Sequence, residues 1–127
     1  MSSREGSAEQ MLSNGEMCDA LGNHEEAVEW YQKAADLGLP AAMHNLAVSK
    51  EEAEGTPCDM HSAIAWYNRA ADAGFGKSML NLAFIYYQGG GHVARDKGKS
   101  LEFTRRAADA GETKACRRMV ISLSWNI

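Results

Sequence analysis

Apolar and small residues recur three and four positions apart along most of this chain. In one stretch they are Ala63, Trp66, Tyr67, Ala70 and Ala71, with polar residues between them. Residues at this spacing share one face of an α-helix, whereas the remaining positions face water. The pattern therefore predicts amphipathic helices that bury their small and aromatic side chains.

Residues that favour helix ends flank this stretch. Asp59 precedes the apolar positions, and Asp96 stands at the corresponding place of a later stretch. Aspartate in this position accepts a hydrogen bond from the first turn and suits the positive end of the helix dipole. Gly74 follows the last apolar position, where helices often end in a left-handed turn that glycine adopts readily. We therefore predict a helix between Asp59 and Gly74.

The same segment occurs three times, followed each time by a second similar segment. The copies are residues 30–38 (WYQKAADLG), 66–74 (WYNRAADAG) and 103–111 (FTRRAADAG), which begin 36 and 37 positions apart. A repeat of this length predicts stacked helix pairs, because one pair cannot bury its own apolar face. We expect alanines to let the helices approach closely and Trp30, Trp66 and Phe103 to fill the remaining space.

The third copy carries the most specific motif. It runs Leu82-Ala83-x-Ile85-Tyr86-x-x-Gly89-x-Gly91-x-Val93-x-x-Asp96, followed by Ser100, Phe103 and Ala107-Ala108-x-x-Gly111. With these residues the chain resembles the Sel-one-like repeat family, a subclass of the tetratricopeptide-type helical solenoids, over roughly residues 7–125. The second copy departs from the pattern around residues 50–57, and the first is more similar to an ordinary tetratricopeptide repeat.

The predicted fold is all-α, a right-handed α-solenoid of antiparallel helix pairs with about three and a half tetratricopeptide or Sel-one-like repeats. We expect one repeat domain over residues 1–127, with units at approximately 7–40, 41–76 and 77–113 and a half unit at 114–127. The resemblance implies a non-catalytic adaptor that binds a partner protein or peptide in its concave groove and needs no cofactor.

Charge and composition narrow the function classes. The chain carries a net charge of −4, which argues against general nucleic-acid binding. Residues 1–94 hold 5 Lys and Arg against 13 Asp and Glu, and residues 95–127 hold 8 against 4. No apolar run approaches the roughly 20 residues that span a bilayer. The 3 cysteines, an odd number without an apparent leader, favour a reducing cytoplasm.

Catalytic and metal-binding alternatives have weak support. Residues 89–100 resemble a phosphate-binding loop, but Val93 stands where the first glycine is required and a helix precedes the loop. Cys58 and His61 lack the further ligands of a zinc site. The histidines, which include His24, have no nucleophile or carboxylate partner in the helical register. We therefore predict neither an enzyme nor a metal site.

Polar residues of the first helix of each pair are the predicted partner contacts. In tetratricopeptide-type solenoids this helix lines the concave groove, and a groove Asn with basic residues can clamp a peptide carboxylate. Asn81, Lys114 and Arg118 match such positions, whereas His44 and Val48 replace the usual Lys and Asn. An acidic peptide or an ordinary solvated basic face both fit, and Tyr86 is a looser groove contact. The predicted binding residues are His44, Asn45, Lys77, Asn81, Lys114 and Arg118.

The C-terminal segment predicts a second contact surface. Residues 114–125 form the first helix of a fourth unit without its second helix, so apolar side chains have little chain to pack on. Either the chain is a fragment, or this end docks a partner or another copy through Ile121, Leu123 and Trp125. A structural subunit of a larger assembly, or an accessory subunit of an enzyme, is the alternative function.

Overall fold

The computed structural model describes residues 7–55, 58–89, 93–112 and 114, and within them it contains six α-helices of 13 residues each. The helices are α1 (Ala8–Ala20), α2 (His24–Asp36), α3 (Pro40–Glu52), α4 (Met60–Asp72), α5 (Gly76–Gln88) and α6 (Lys97–Asp109). The predicted all-α fold of repeated antiparallel helix pairs is confirmed. Apart from Lys114, the predicted half unit at 114–127 lies outside the described residues.

The helices belong to two compact units. The N-terminal unit, Met1–Ala73, contains α1 to α4, and the C-terminal unit, Gly74–Ile127, contains α5 and α6. In the N-terminal unit α1 packs on α2, α2 on α3, and α3 on α4. In the C-terminal unit α5 packs on α6. Consecutive pairing of short helices is the expected architecture for a helix-pair repeat.

The helix ends lie where the sequence places them. Asp59 caps α4 by accepting a hydrogen bond from the Ser62 backbone N–H at 3.1 Å, and Asp96 caps α6 through the Lys99 N–H at 3.0 Å. Gly74 follows α4 with a φ of 93°, and no atom lies within 4 Å of the position its Cβ would occupy. Glycine is therefore favoured at this position by the backbone conformation and not by lack of space. Any other residue with this φ would cost roughly 1–2 kcal/mol of conformational free energy.

The core consists mainly of alanines with a few large side chains. Tyr67, Leu46 and Leu82 are fully buried, and a Cβ on Gly15 would lie only 2.7 Å from the Tyr31 ring. Small residues at the interface allow such close approach and leave the space that large side chains fill. The buried alanines are Ala27, Ala34, Ala35, Ala42, Ala47, Ala63, Ala70, Ala71, Ala83 and Ala107.

One expectation about the core is wrong for two of its three aromatic residues. Phe103 is buried as predicted, but Trp30 and Trp66 are only partly buried, and their neighbours Tyr31 and Tyr67 take the core positions. Each tryptophan ring instead carries a cation, Lys33 at 4.8 Å and Arg69 at 4.4 Å from the ring centre. An indole under a cation is stabilised at the surface.

Candidate functional site

A cavity of about 320 Å³ lies on the N-terminal unit, where α1, α2 and α3 come together. We call it the α1/α3 cavity. Two of the predicted contact residues, His44 and Asn45, form part of its wall. Its lining residues are Glu16, Asp19, Tyr31, His44, Asn45, Val48, Ser49 and Glu54.

Helical register explains why α3 faces the cavity. His44, Asn45 and Val48 lie one and four positions apart, so they share one side of the helix. Leu46 and Ala47 lie on the other side and are fully buried. The core therefore fixes the orientation of α3 and leaves its polar side accessible at the cavity.

Asp19 joins the end of α1 to α2. The Tyr31 hydroxyl donates a hydrogen bond to Oδ2 of Asp19 at 2.6 Å, and Nδ1 of His24 lies 2.8 Å from Oδ1. Tyr31 is only 2% exposed, so its ring is fixed in the core while its hydroxyl reaches the cavity wall. The pKa of Tyr31 is raised mainly by burial and secondly by the hydrogen bond to Asp19. Tyr31 therefore remains a neutral donor.

His24 differs from the sequence-based expectation. The helical register predicts no carboxylate partner for this residue, but the turn of residues 21–23 brings it against Asp19. This hydrogen bond is the main cause that raises the pKa of His24, and Glu54 adds to it. Partial desolvation and the nearby Glu26 raise the pKa of Cys18, so this neighbouring thiol is not activated as a nucleophile.

The charge of the α1/α3 cavity is negative. Glu16, Asp19 and Glu54 supply three carboxylates, and His44 is its only basic side chain among the described residues. The unit as a whole has the same sign, because residues 1–73 contain 4 Lys and Arg against 13 Asp and Glu. Such a surface attracts cationic partners and repels anionic ones.

A second hollow of about 700 Å³ lies around the start of α2. Gly55 packs against the backbone carbonyl of His24 there, so closely that a Cβ would collide with it. Exposed glutamates form much of the wall, and Trp30 with Lys33 forms one side. The lining residues are Gly22, Asn23, His24, Glu25, Glu26, Glu29, Trp30, Lys33 and Gly55.

The remaining predicted contacts belong to the C-terminal unit. Lys77 and Asn81 lie one helical turn apart on α5, Lys77 exposed and Asn81 partly buried, and Lys114 is exposed. Arg118 lies outside the described residues, as do the predicted docking residues at 121, 123 and 125. The structure thus groups His44 with Asn45 and Lys77 with Asn81.

Tyr86, the looser predicted contact, is part of an aromatic and basic cluster. Its ring stacks on Phe103 with ring centres 6.0 Å apart, and the Lys99 ammonium lies 4.9 Å from its centre. Arg95 lies over the Tyr87 ring at 5.3 Å and donates a hydrogen bond to the Tyr87 carbonyl at 2.9 Å. These contacts stabilise the start of α6 and give this end of the unit a positive surface.

The other chemical alternatives have clear structural positions. Cys58 is exposed, and its thiol lies 3.5 Å from the Glu51 carbonyl. Ser100, part of the loop-like motif, is buried and donates to the Ala83 carbonyl at 2.7 Å. No three His, Cys, Asp or Glu residues among those described could together hold a metal ion. Within the same residues, no helix has the length and apolar character to cross a membrane.

Solved structures similar to this chain show the same architecture. A Sel1 repeat protein from Oxalobacter formigenes is 28% identical with a TM-score of 0.80, over 87% of this chain and 46% of its own. A protective antigen of uropathogenic Escherichia coli strains that displays an SLR fold is 23% identical with a TM-score of 0.72, over 99% of this chain and 35% of its own. This chain therefore spans less than half the length of either protein.

Cysteine rich protein B of Helicobacter pylori is 21% identical with a TM-score of 0.66, over 72% of this chain and 68% of its own, and at such identity it shows the fold alone. The curated proteins contain no match. A model of the Sel1 repeat matches residues 6–39, 40–75 and 76–112, which contain the three helix pairs. Since these matches cover most of the sequence, the chain belongs to the Sel1 repeat family.

Proposed function

We propose that this chain is a non-catalytic interaction module that binds a partner protein or peptide at the α1/α3 cavity. Sel1 repeats commonly mediate protein–protein interaction. The observation that carries the proposal is the cavity itself, because the first helices of two consecutive repeats present polar side chains to it. A rigid core behind a polar concavity suits recognition of an extended segment.

The chemistry of the cavity supports binding rather than catalysis. Its hydrogen bonds fix Asp19 and Tyr31 to each other, and the raised pKa of Tyr31 keeps its hydroxyl protonated. His24 contacts Asp19 but has no activated nucleophile beside it among the described residues. Nucleophilic catalysis requires a base paired with an activatable hydroxyl or thiol. These features favour a scaffold over an enzyme or an accessory enzyme subunit.

Site-specific photocrosslinking in an extract of the source cells tests this proposal. A photoreactive phenylalanine at Val48 lies in the cavity wall, and one at the exposed Ala65 of α4 is the matched control. We expect distinct protein adducts from position 48 that His44→Ala with Asn45→Ala removes. Identical adducts from positions 48 and 65 would contradict a binding role for the cavity.

An acidic partner remains a second candidate, for the C-terminal unit. Residues 74–127 contain 9 Lys and Arg against 4 Asp and Glu, and Lys77 and Lys114 are exposed. We propose that Lys77, Asn81, Lys114 and Arg118 favour a peptide carboxylate. An acidic peptide titrated in rising salt tests this, since binding through exposed lysines weakens strongly with ionic strength. Self-association through Ile121, Leu123 and Trp125, and a cytoplasmic location, are further predictions.

A further inference from the structure

The three carboxylates of the α1/α3 cavity differ in their contacts with the described residues. Asp19 uses both oxygens, one toward Tyr31 and one toward His24. Within the described residues, the side chains of Glu16 and Glu54 have neither a hydrogen bond nor an ion pair. The cavity thus combines one fixed carboxylate with two that are available to a ligand.

The electric field in the cavity has a consistent sign. Negative charge from Asp19 and Glu16 contributes to the raised pKa of Tyr31, after burial. Asp19 and Glu54 both act to raise the pKa of His24. Carboxylates on α1 and in the segment after α3 therefore act on these two groups of α2 with the same sign, and they attract a cation that enters the cavity.

The size and the lining residues of the α1/α3 cavity indicate which kind of cation would fit it. A volume of about 320 Å³ corresponds to roughly ten water molecules at ~30 Å³ each. This is enough space for one long side chain. The partly buried Val48 offers apolar surface for an aliphatic stem, while the amide of Asn45 and the carboxylates suit a charged head. Lys and Arg are the two side chains with this construction.

We propose that the α1/α3 cavity binds a Lys or Arg side chain from an extended segment of the partner. This inference rests on the proposed function and names the chemistry of its partner. A second copy could also supply a basic side chain from its C-terminal unit. That contact would be head-to-tail and would not close, so it leads to open chains rather than a defined complex. A separate partner is therefore the occupant we favour.

Peptide pools provide the test. Amidated nonapeptides with a fixed central Arg, Lys, citrulline, Glu or Leu and random flanks are titrated into the isotopically labelled full chain. NMR shifts of residues 16, 19, 45 and 49 report the cavity. We expect the Arg and Lys pools to bind at least about tenfold more tightly than citrulline, which has the shape of Arg without its charge.

Two double variants localise the effect. Glu16→Gln with Glu54→Gln removes the two available carboxylates and should abolish the preference for Arg over citrulline. Glu9→Gln with Glu52→Gln is the matched control, because it makes the same change in charge at exposed sites of α1 and α3. The control should keep the preference, and circular dichroism verifies that both variants stay folded.

The outcomes separate this inference from the proposed function. Cavity shifts with the Glu or Leu pool, and none with Arg or Lys, would overturn the cationic partner and leave the cavity as a binding site. If both double variants lost the preference to the same extent, it would depend on net charge, and if both kept it, the two cavity carboxylates would not be its source. Either result would overturn the inference. Self-association that Glu16→Gln with Glu54→Gln abolishes would identify a second copy as the occupant. If no peptide pool bound and position 48 gave no crosslinks, both the binding role of the cavity and its preference for a basic side chain would be overturned.

Discussion

The two units use the same helix pair but join its helices differently. In the N-terminal unit the eighth residue of the second helix is tyrosine, and its hydroxyl reaches a carboxylate at the twelfth residue of the first helix. The two links are Tyr31 to Asp19 at 2.6 Å and Tyr67 to Glu51 at 2.7 Å. In the C-terminal unit Thr104 takes the tyrosine position, and its hydroxyl donates to the Ser100 carbonyl at 2.8 Å.

The C-terminal unit has a different link at another position. Ser100 replaces Ala27 and Ala63 of the other second helices, and its hydroxyl donates to the Ala83 carbonyl of α5. The units also differ in net charge, −9 for residues 1–73 and +5 for residues 74–127. The comparison teaches that alanines and turn glycines maintain the repeat, whereas the hydrogen bonds between its helices and the net charge differ from one unit to the other.

The shared core gives the largest expected effect. Leu46 and Leu82 occupy the seventh position of α3 and α5, and both are fully buried. Leu→Ala at either site should lower the free energy of unfolding by about 2–5 kcal/mol, because it leaves a cavity between packed helices. Denaturant unfolding measures the loss, and amide hydrogen exchange assigns it to one unit. A loss at Leu82 well below that at Leu46 would show that the cores are not equivalent.

The tyrosine links should have the next largest effect. Tyr31→Phe and Tyr67→Phe each remove a hydrogen bond to a carboxylate without changing the ring, which should cost about 1–2 kcal/mol of unfolding free energy. Tyr86→Phe in the C-terminal unit is the control, because its ring stacks on Phe103 and the change should be below about 0.5 kcal/mol. Equal effects of all three variants would mean that the links do not distinguish the units.

Sequence periodicity was sufficient for most of the fold. Asp59, Asp96 and Gly74 mark helix ends through local chemistry, so their positions follow from neighbouring residues. The choice between Trp30 and Tyr31 for the core did not follow, because adjacent positions on a helix are both apolar here. Close packing of the Tyr31 ring on Gly15 places tyrosine in the core, and this contact joins residues that are 16 positions apart in the sequence.

The candidate site was predictable only in part. His44 and Asn45 follow from the register of α3, which the core residues fix. Glu16 and Asp19 lie on α1, the corresponding helix of the first repeat. The same register would have identified them, but the residue spacing of the first repeat differs from that of the second. Glu54 depends on the backbone, since Ala53 adopts a φ of 59° and turns the chain so that the Glu54 N–H reaches the Ser49 carbonyl at 2.9 Å. Such a conformation of alanine has no sequence signal.

The buried serine of the C-terminal unit should have a smaller effect. Ser100→Ala restores the residue found in the other two repeats but removes the hydrogen bond to Ala83, so it should cost about 0.5–1.5 kcal/mol of unfolding free energy. Ala63→Ser in the N-terminal unit is the reciprocal change. Thermal unfolding compares the two. Stabilisation by Ser100→Ala would show that this hydrogen bond does not stabilise the helix pair.

The smallest effect should be a dependence on pH that only the N-terminal unit shows. The contact with Asp19 raises the pKa of His24 in the folded chain, so folding favours the protonated ring. This stabilisation is complete below the unfolded pKa of about 6.5 and is lost as the pH rises through the higher folded value.

His24→Gln should therefore lower stability more at about pH 5.5 than at about pH 8. Parallel denaturant titrations of wild type and His24→Gln at the two pH values measure the difference, and His61→Gln, at an exposed histidine of α4, is the control. A larger loss at the higher pH would reverse the sign and show that the folded chain favours the neutral ring of His24.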